Sequence, residues 1–206
     1  PTRSASALDM MVGTGTVQAN LDYANEADMR EKMRLAMALS PFLTALFANS
    51  PFEEGKPSGY LSSRSNVWLR MDPDRSGILT EVFNEDFSYE DYTEWALDTP
   101  MFFLHRDNRY LDYSGVRFRK FLEEGLDGHV ATKRDWELHL TTLFPEVRLK
   151  QYIELRMADV GSRATICAFV ALVRGLFYDD TSRDAACGLI SRLRPGDIAP
   201  LQREAS

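Results

Sequence analysis

The stretch that decides the fold reads FPEVRLKQYIELRMAD and runs from Phe144 to Asp159. At its centre, in YIELR, charged side chains alternate with apolar ones. Residues i and i+2 of a β-strand point to the same face, so Glu154 and Arg156 share one face while Ile153 and Leu155 pack on the other. The segment is therefore predicted to be a strand with one apolar and one charged face.

The charged pair of this strand has two interpretations. A carboxylate that binds Mg²⁺ and a guanidinium that binds phosphate, held side by side on a rigid sheet, suit a metal–nucleotide site. The alternative is a plain salt bridge at a strand edge. Spacing alone favours the salt bridge, because E-x-R is a common pattern and charged pairs are usually solvated.

Composition limits the class of protein. The 206 residues suffice for one large domain or a substantial piece of a larger one, and 44% hydrophobic with 27% charged residues is ordinary globular composition. A net charge of -7 argues against a nucleic-acid-binding protein, which normally carries a basic excess. No apolar run approaches the roughly 18 residues that a membrane-spanning helix needs, so we expect no membrane partner.

Cysteine usage predicts the compartment. Cys167 and Cys187 are the two cysteines, and they are too far apart for a C-x-x-C motif. We interpret them as core thiols in a cytoplasmic protein without a disulfide framework or structural zinc site. The first residues also lack the long apolar core of a signal peptide.

Residues 14–23 alternate with a period of two, which predicts a half-buried strand. One face carries only hydrogen-bonding side chains without Lys or Arg, including Gln18 and Asn20. This face is either a ligand-binding surface or an ordinary solvated one, and the pattern favours neither.

The rest of the chain is predicted to be largely helical. Asn25 is a typical N-cap, and Pro41 is expected to interrupt or kink the helix that follows it. Turn residues in 53–60 predict a loop of the kind that carries binding residues. Capping and periodicity predict further helices over 89–97, 116–123, 134–143, 162–177 and 183–194, and a hairpin over 100–112.

Four blocks of the chain together resemble the glutamate–cysteine ligases of the plant and proteobacterial type. The blocks are TGTVQANL (14–21), TALFANSPFEEGKPSGYLSSRS (44–65), LHLTTLFPEVRLKQYIELRMAD (138–159) and GLFYDD (175–180). The second and third are long and specific, and the resemblance extends from about residue 8 to the last residue.

The resemblance implies a fold and an activity. The fold would be α+β, with a glutamine-synthetase-like curved antiparallel sheet and flanking helices, incomplete in this chain. Residues 1–206 would form a single partial catalytic domain, with loose ends at 1–8 and 196–206. The family joins the γ-carboxylate of glutamate to the amine of cysteine through a γ-glutamyl phosphate, with ATP and Mg²⁺ as cofactors, in the first step of glutathione synthesis.

The resemblance also assigns roles around the charged strand. Glu154 matches a Mg²⁺ ligand, and Arg156 matches the catalytic arginine that contacts the transferring phosphate. Gln18 and Asn20 match positions that face the metal and the nucleotide, and Gln18 is a second candidate metal ligand.

A second set of matched residues would bind glutamate. Arg64 resembles the arginine that pairs with the substrate α-carboxylate, for which a bidentate guanidinium is the right group. Trp68 would form a wall of the same pocket. Asn49, Phe52 and Tyr60 are expected nearby.

The chain departs from the family pattern in three respects. Val12-Gly13 stands near a position where the family usually has an arginine, and Tyr113 stands where plant members carry a cysteine of a redox-sensitive disulfide. Family chains are also considerably longer, and their N-terminal part supplies further acidic metal ligands and another substrate-binding arginine. We therefore expect this chain alone to be weakly active or inactive, with a missing N-terminal segment or a partner chain completing the site.

Two alternatives to this function stay open. One is a related γ-glutamyl or carboxylate–amine ligase that uses another acceptor amine, although the block FANSPFEEGKPSGYLSSR favours the glutathione-pathway type. The other is a truncated, non-catalytic paralogue. An acceptor screen separates the first from the expected ligase, and binding of ATP or glutamate separates the second.

Overall fold

A computed structural model describes Met10 and residues 12–206, so the predicted loose end at 1–8 lies outside the described residues. The chain divides into two compact units. The first comprises the described residues up to Phe87 together with Pro145–Ser206, and the second is Ser88–Phe144. The contacts between residues thus divide the chain into two units. That residues 1–206 act as a single partial catalytic domain stays a prediction. None of the described helices combines the length and the apolar character that crossing a bilayer requires.

The mixture of helices with small antiparallel sheets confirms the α+β class. Within the described residues the bounded helices are α1 (Glu26–Leu46), α2 (Ser63–Leu69), α3 (Tyr89–Asp98), α4 (Phe118–Glu124), α5 (Lys133–Thr141), α6 (Arg163–Tyr178), α7 (Asp180–Ile190) and α8 (Pro195–Glu204), with a 3-10 turn at Thr80–Phe83. The strands are β1 (Ala19–Leu21), β2 (Phe52–Glu53), β3 (Lys56–Pro57), β4 (Ser76–Gly77), β5 (Phe103–Arg106), β6 (Arg109–Asp112), β7 (Phe144–Pro145), β8 (Val147–Leu149) and β9 (Ile153–Leu155).

The first unit is built around the long helix α1. Asn25 caps it as predicted, because its Oδ1 accepts a hydrogen bond from the backbone N–H of Asp28 at 3.0 Å. Pro41 was expected to interrupt or kink this helix; the interruption is wrong, since the helix continues through this residue, and the kink stays a prediction. Proline cannot donate to the carbonyl of Met37, but the hydroxyl of buried Ser40 donates to that oxygen at 2.8 Å and replaces the missing bond.

The central sheet has the strand order β1-β9-β8 and is antiparallel throughout. The charged segment forms β9, as predicted, and Ile153 and Leu155 are fully buried on the side opposite the charged face. Helix α1 packs against β8 and β9. The predicted strand over 14–23 is shorter than expected. Beyond β1 it continues only as a bridge between Thr16 and Asp159, whose register is shifted by one residue from that of β1 and β9.

The end of the chain is ordered, so the predicted loose end at 196–206 is wrong. These residues form most of α8, which packs against α1 and buries Ile198 and Gln202. The polar composition concealed a narrow apolar stripe that a short helix can bury. The prediction that both cysteines are core thiols is also wrong, because Cys167 is exposed and Cys187 is only partly buried.

The second unit consists of α3, the hairpin β5–β6, α4 and α5. Asp107 and Asn108 adopt positive φ angles of 48° and 58° in the tight hairpin turn, which confirms the predicted hairpin. His139 is buried, and its Nε2 lies 2.8 Å from the carbonyl oxygen of Ala96. It is therefore a hydrogen-bonded core histidine.

Candidate functional site

The charged face of the central sheet carries a compact set of polar side chains. Strand register places Asn20, Glu154 and Arg148 side by side on β1, β9 and β8. Arg156 continues the row of β9, and its backbone N–H donates to the carbonyl of Glu146 at 3.1 Å. We call the set on this face the polar array; its members are Gln18, Asn20, Glu146, Arg148, Glu154 and Arg156.

Glu154 lies at the centre of the polar array and is only 4% exposed. Its Oε2 accepts hydrogen bonds from Nη1 of Arg156 at 2.7 Å and from Nε of Arg148 at 2.8 Å, and its Oε1 accepts one from Nζ of Lys150 at 3.2 Å. Burial opposes ionisation of this carboxyl, but the bond from Arg156 and the charges of all three cations outweigh it and lower the pKa of Glu154. The carboxylate is therefore ionised at neutral pH.

Gln18 connects the first strand to this cluster. With its amide oriented to satisfy both neighbours, its oxygen accepts from Nη1 of Arg156 at 3.0 Å and its nitrogen donates to Oε1 of Glu154 at 3.3 Å. The structure therefore brings Gln18, Asn20, Glu154 and Arg156 together on one face, while their metal and nucleotide roles stay predictions.

Arg156 is buried between charges of both signs. Burial and the neighbouring charge of Arg148 lower the pKa of Arg156, while Glu154 and Glu146 act in the opposite direction. Its guanidinium carbon also lies 5.7 Å from the ring centroid of Trp68, within the range of a cation–π contact. The guanidinium is thus held in a defined position by carboxylates and an aromatic ring.

Arg64 approaches the same tryptophan, at 5.8 Å from the ring centroid. Its Nη1 donates to the carbonyl of Met157 at 3.1 Å and its Nη2 to the carbonyl of Arg156, so it braces the backbone that leaves β9. Burial lowers the pKa of Arg64, and the carboxylates of Glu146 and Asp159 oppose this. The structure therefore brings Arg156 close to Arg64 and Trp68, which lie one turn apart on α2.

Sequence reasoning missed Glu146. Burial raises the pKa of this carboxyl, although Arg64 and Arg156 attract its negative charge. Its Oε1 lies 3.4 Å from Nε2 of Gln202 on α8, which also donates to Oγ1 of Thr44 at 2.9 Å. The signal was present in PEVRLK, where Glu146 and Arg148 alternate with apolar residues as Glu154 and Arg156 do.

Asp159 is the second residue that was missed. It is fully buried and accepts hydrogen bonds from the backbone N–H of Asn49 at 2.9 Å, from Ser50 Oγ at 2.6 Å and from Ser62 Oγ at 3.0 Å. The amide of Asn49 donates in turn to the carbonyl of Val160 at 2.9 Å. Asn49 therefore anchors the loop before β2 to the end of the sheet, next to Arg64.

Phe52 and Tyr60 lie on the loop that contains the short hairpin β2–β3. Their exposed fractions are 63% and 43%, so neither is enclosed in a pocket. Glu54 and Gly55 both have positive φ at the tip of the hairpin. The structure places these two side chains on an exposed flank, and their contact with substrate stays a prediction.

The side chains that could hold a metal ion at the polar array are few. Among the described residues, no group of three or more His, Cys, Asp or Glu side chains is placed to hold a metal ion. Glu154 is nevertheless ionised, and its Oε1 has the longer contacts, to Lys150 and Gln18. Mg²⁺ commonly binds through one or two carboxylates together with phosphate oxygens and water, so Glu154 fits part of such a site. Gln18 fits it only with its amide turned over, because its oxygen here accepts from Arg156 and its nitrogen faces Oε1 of Glu154.

Comparisons with known proteins identify relatives of the chain. Residues 4–198 match the model of glutamate-cysteine ligase family 2. The chain is 50% identical over 96% of its length to the chloroplastic glutamate–cysteine ligase of Arabidopsis thaliana and 49% identical over 96% to that of Brassica juncea. It is 50% identical over 89% of its length to chloroplastic glutamate–cysteine ligase B of Oryza sativa subsp. japonica.

These matches cover only part of each relative, and they contradict the predicted compartment. The chain spans only 37% of the Arabidopsis enzyme and 38% of each of the other two. The predicted cytoplasmic location is wrong, because all three relatives are named as chloroplastic enzymes and cysteine usage cannot distinguish two reducing compartments. Since the family model covers nearly the whole chain, the protein belongs to glutamate-cysteine ligase family 2.

Proposed function

We propose that this chain forms the part of a glutamate–cysteine ligase that holds the transferring phosphate and the glutamate substrate. The complete enzyme joins the γ-carboxylate of glutamate to the amine of cysteine in an ATP-dependent reaction. The observation that carries the proposal is the polar array, in which buried Glu154 is surrounded by Arg148, Lys150 and Arg156. This arrangement lies in residues 138–159, one of the two long and specific blocks of resemblance to the family.

Phosphoryl transfer depends mainly on positioning and on positive charge around the transferring group. ATP supplies the phosphoryl group, and Mg²⁺ neutralises phosphate charge. Arg156 is the group that contacts the transferring phosphate, and its two carboxylate neighbours together with Trp68 hold it in position. Asn20, beside Glu154 on β1, faces the nucleotide.

Glu154 and Gln18 are the proposed metal ligands. Lys150 is the most exposed of the three cations on Glu154, with 36% of its side chain accessible, so it can leave Oε1 at the smallest cost. With Lys150 displaced and the Gln18 amide turned over, Oε1 and the Gln18 oxygen would be available to hold Mg²⁺, while Oε2 keeps its bonds to Arg148 and Arg156.

Arg64 is proposed to bind the α-carboxylate of glutamate, with Trp68 as a wall of the pocket. Its position near Arg156 supports this role, because both guanidinium groups contact the same indole ring. Asn49 fixes the adjacent loop, and Phe52 and Tyr60 line the outer side of the pocket. Nε of Arg64 has no hydrogen-bond partner among the described residues, so it is the donor left for the substrate carboxylate while Nη1 and Nη2 hold backbone carbonyls.

The remainder of a full-length ligase is proposed to complete this site. The three-stranded sheet β1-β9-β8 would be one part of a glutamine-synthetase-like curved sheet. Further acidic ligands must come from outside the described residues, because Glu154 alone is a poor Mg²⁺ site.

The proposal is tested in a complete ligase in which this segment replaces the matching segment of a plant relative. ADP release is measured with glutamate and cysteine, and with glutamate and a series of other amines. We expect turnover that depends on cysteine, and little or no turnover by the 206-residue chain alone. A preference for another amine would assign the chain to a related ligase, and the absence of any amine-dependent ADP release would overturn the proposal.

A further inference from the structure

A cavity of about 440 Å³ lies on α1 away from the polar array, between this helix, the 3-10 turn, α7 and the start of α8. No member of the polar array lines it. Its apolar wall is formed by Leu35, Ala38, Phe83, Ile190, Leu193 and Ile198. Its size and apolar lining are typical of sites that bind small molecules.

Two guanidinium groups reach the same cavity from one face of α1. Arg30 and Arg34 are one helical turn apart, so their side chains are neighbours. Nε of Arg30 donates to the carbonyl of Phe87, and Nη2 of Arg34 donates to those of Phe83 at 3.2 Å and Asn84 at 2.6 Å. These carbonyls fix both groups and leave other nitrogens available to a ligand.

Neither arginine has a counter-ion in the described part of the chain. Glu31 also lines the cavity, but its Oε1 pairs with Nε of Arg183 at 3.0 Å. Nε of Arg34 is buried and has no hydrogen-bond partner among the described residues. Two such cations beside an apolar wall, in a chain of net charge -7, form a local anion-binding environment.

We propose that this cavity binds a small organic carboxylate with an apolar tail. The carboxylate lies between Arg30 and Arg34, and the tail lies against the apolar wall. Cys187 also lines the cavity. The site is independent of the proposed ligase function, because it shares no residue with the polar array.

The test uses octanoate as the probe and titration calorimetry with the 206-residue chain. Octan-1-ol has the tail without the charge, and acetate has the charge without the tail. We expect saturable binding of octanoate, with affinity at least about tenfold higher than for either control, because one charge-assisted hydrogen bond corresponds to roughly that factor.

Substitution of the two arginines tests whether octanoate binds in this cavity. Arg30→Gln and Arg34→Gln should each weaken octanoate binding about tenfold. Arg70→Gln is the matched control, because Arg70 is exposed and also donates to a backbone carbonyl, that of Asn66 at 3.3 Å. Its octanoate affinity should equal that of the wild type.

Filling the cavity provides a second readout. Ala38→Leu should weaken binding of octanoate by narrowing the apolar wall, and Ala27→Phe does the same from the exposed rim if the first variant folds poorly. Circular dichroism melts verify that each variant is folded. Equal affinity for octanoate and octan-1-ol, unchanged affinity in both arginine variants, or no binding of octanoate would each overturn the proposal.

Discussion

Replacing Glu154 by Gln removes the negative charge around which the polar array is arranged. The substitution keeps the size of the side chain, but it leaves two largely buried guanidinium groups, Arg148 and Arg156, without their shared carboxylate. Removing one partner of a buried ion pair costs about 3–5 kcal/mol. Glutamine still accepts hydrogen bonds and Glu146 still attracts Arg156, so we expect a loss of about 3 kcal/mol.

The loss is measured as the change in the free energy of unfolding, from urea denaturation followed by circular dichroism at neutral pH. Glu94→Gln is the matched control, because Glu94 is exposed and pairs with Arg119 at 2.6 Å. An exposed pair contributes about 0–1 kcal/mol, so this control should be nearly as stable as the wild type. An equal change in the free energy of unfolding for Glu154→Gln and Glu94→Gln would refute the claim that the buried ion pairs of Glu154 stabilise the fold.

The pH dependence provides a further check. The pKa of Glu154 is lowered in the folded state, so its stabilisation is present above the unfolded pKa and is lost as pH falls through the folded value. The stability difference between the wild type and Glu154→Gln should therefore shrink in acid. A difference that grows as pH falls would contradict the lowered pKa.

Three further predictions concern the residues around the polar array. Arg64→Lys keeps the charge but loses the planar pair of donors, so glutamate affinity in a complete ligase should fall at least about tenfold; an unchanged KM for glutamate would remove Arg64 from the pocket. Gln202→Leu should cost about 1–2 kcal/mol in urea denaturation, because Thr44 and Glu146 lose a donor, and an unchanged midpoint would show that α8 does not depend on this contact. The pKa of Glu146 is raised by burial, so the stability that its proton provides is present below the unfolded pKa and is lost as pH rises through the folded value. Glu146→Gln should therefore gain stability relative to the wild type as pH rises, and a constant difference in denaturation series would contradict that.

Local patterns predicted much of the secondary structure. Alternation identified β9, and Asn25 located the start of α1, because both signals depend on neighbours in sequence. At Pro41 the hydroxyl of Ser40 satisfies the carbonyl of Met37 that proline leaves without a backbone donor, and a rule about proline alone does not include this contact. The helix at residues 195–204 depended on packing against α1, which no local pattern reveals.

The candidate site was predicted only in part, because sequence patterns reveal side chains that are close along the chain and not those that the fold brings together. Glu154 and Arg156 were found because they are two residues apart on one strand. The resemblance to a family placed Arg64 and Trp68 in one pocket, whereas the contact of Arg156 with Trp68 was not predicted, because it depends on how distant segments pack in the fold. Glu146 and Asp159 are buried carboxyl groups whose partners come from distant segments, so their environment became visible only in the fold.

The central claim is that Arg156 contacts the transferring phosphate. The most direct test is the rate of ADP release, with saturating glutamate and cysteine, by a complete ligase that carries this segment with either Arg156→Gln or Arg70→Gln. Loss of a positioned charge at the transition state should lower kcat about a hundredfold or more for Arg156→Gln, while Arg70→Gln keeps the wild-type rate. An equal kcat for the two variants would contradict the claim.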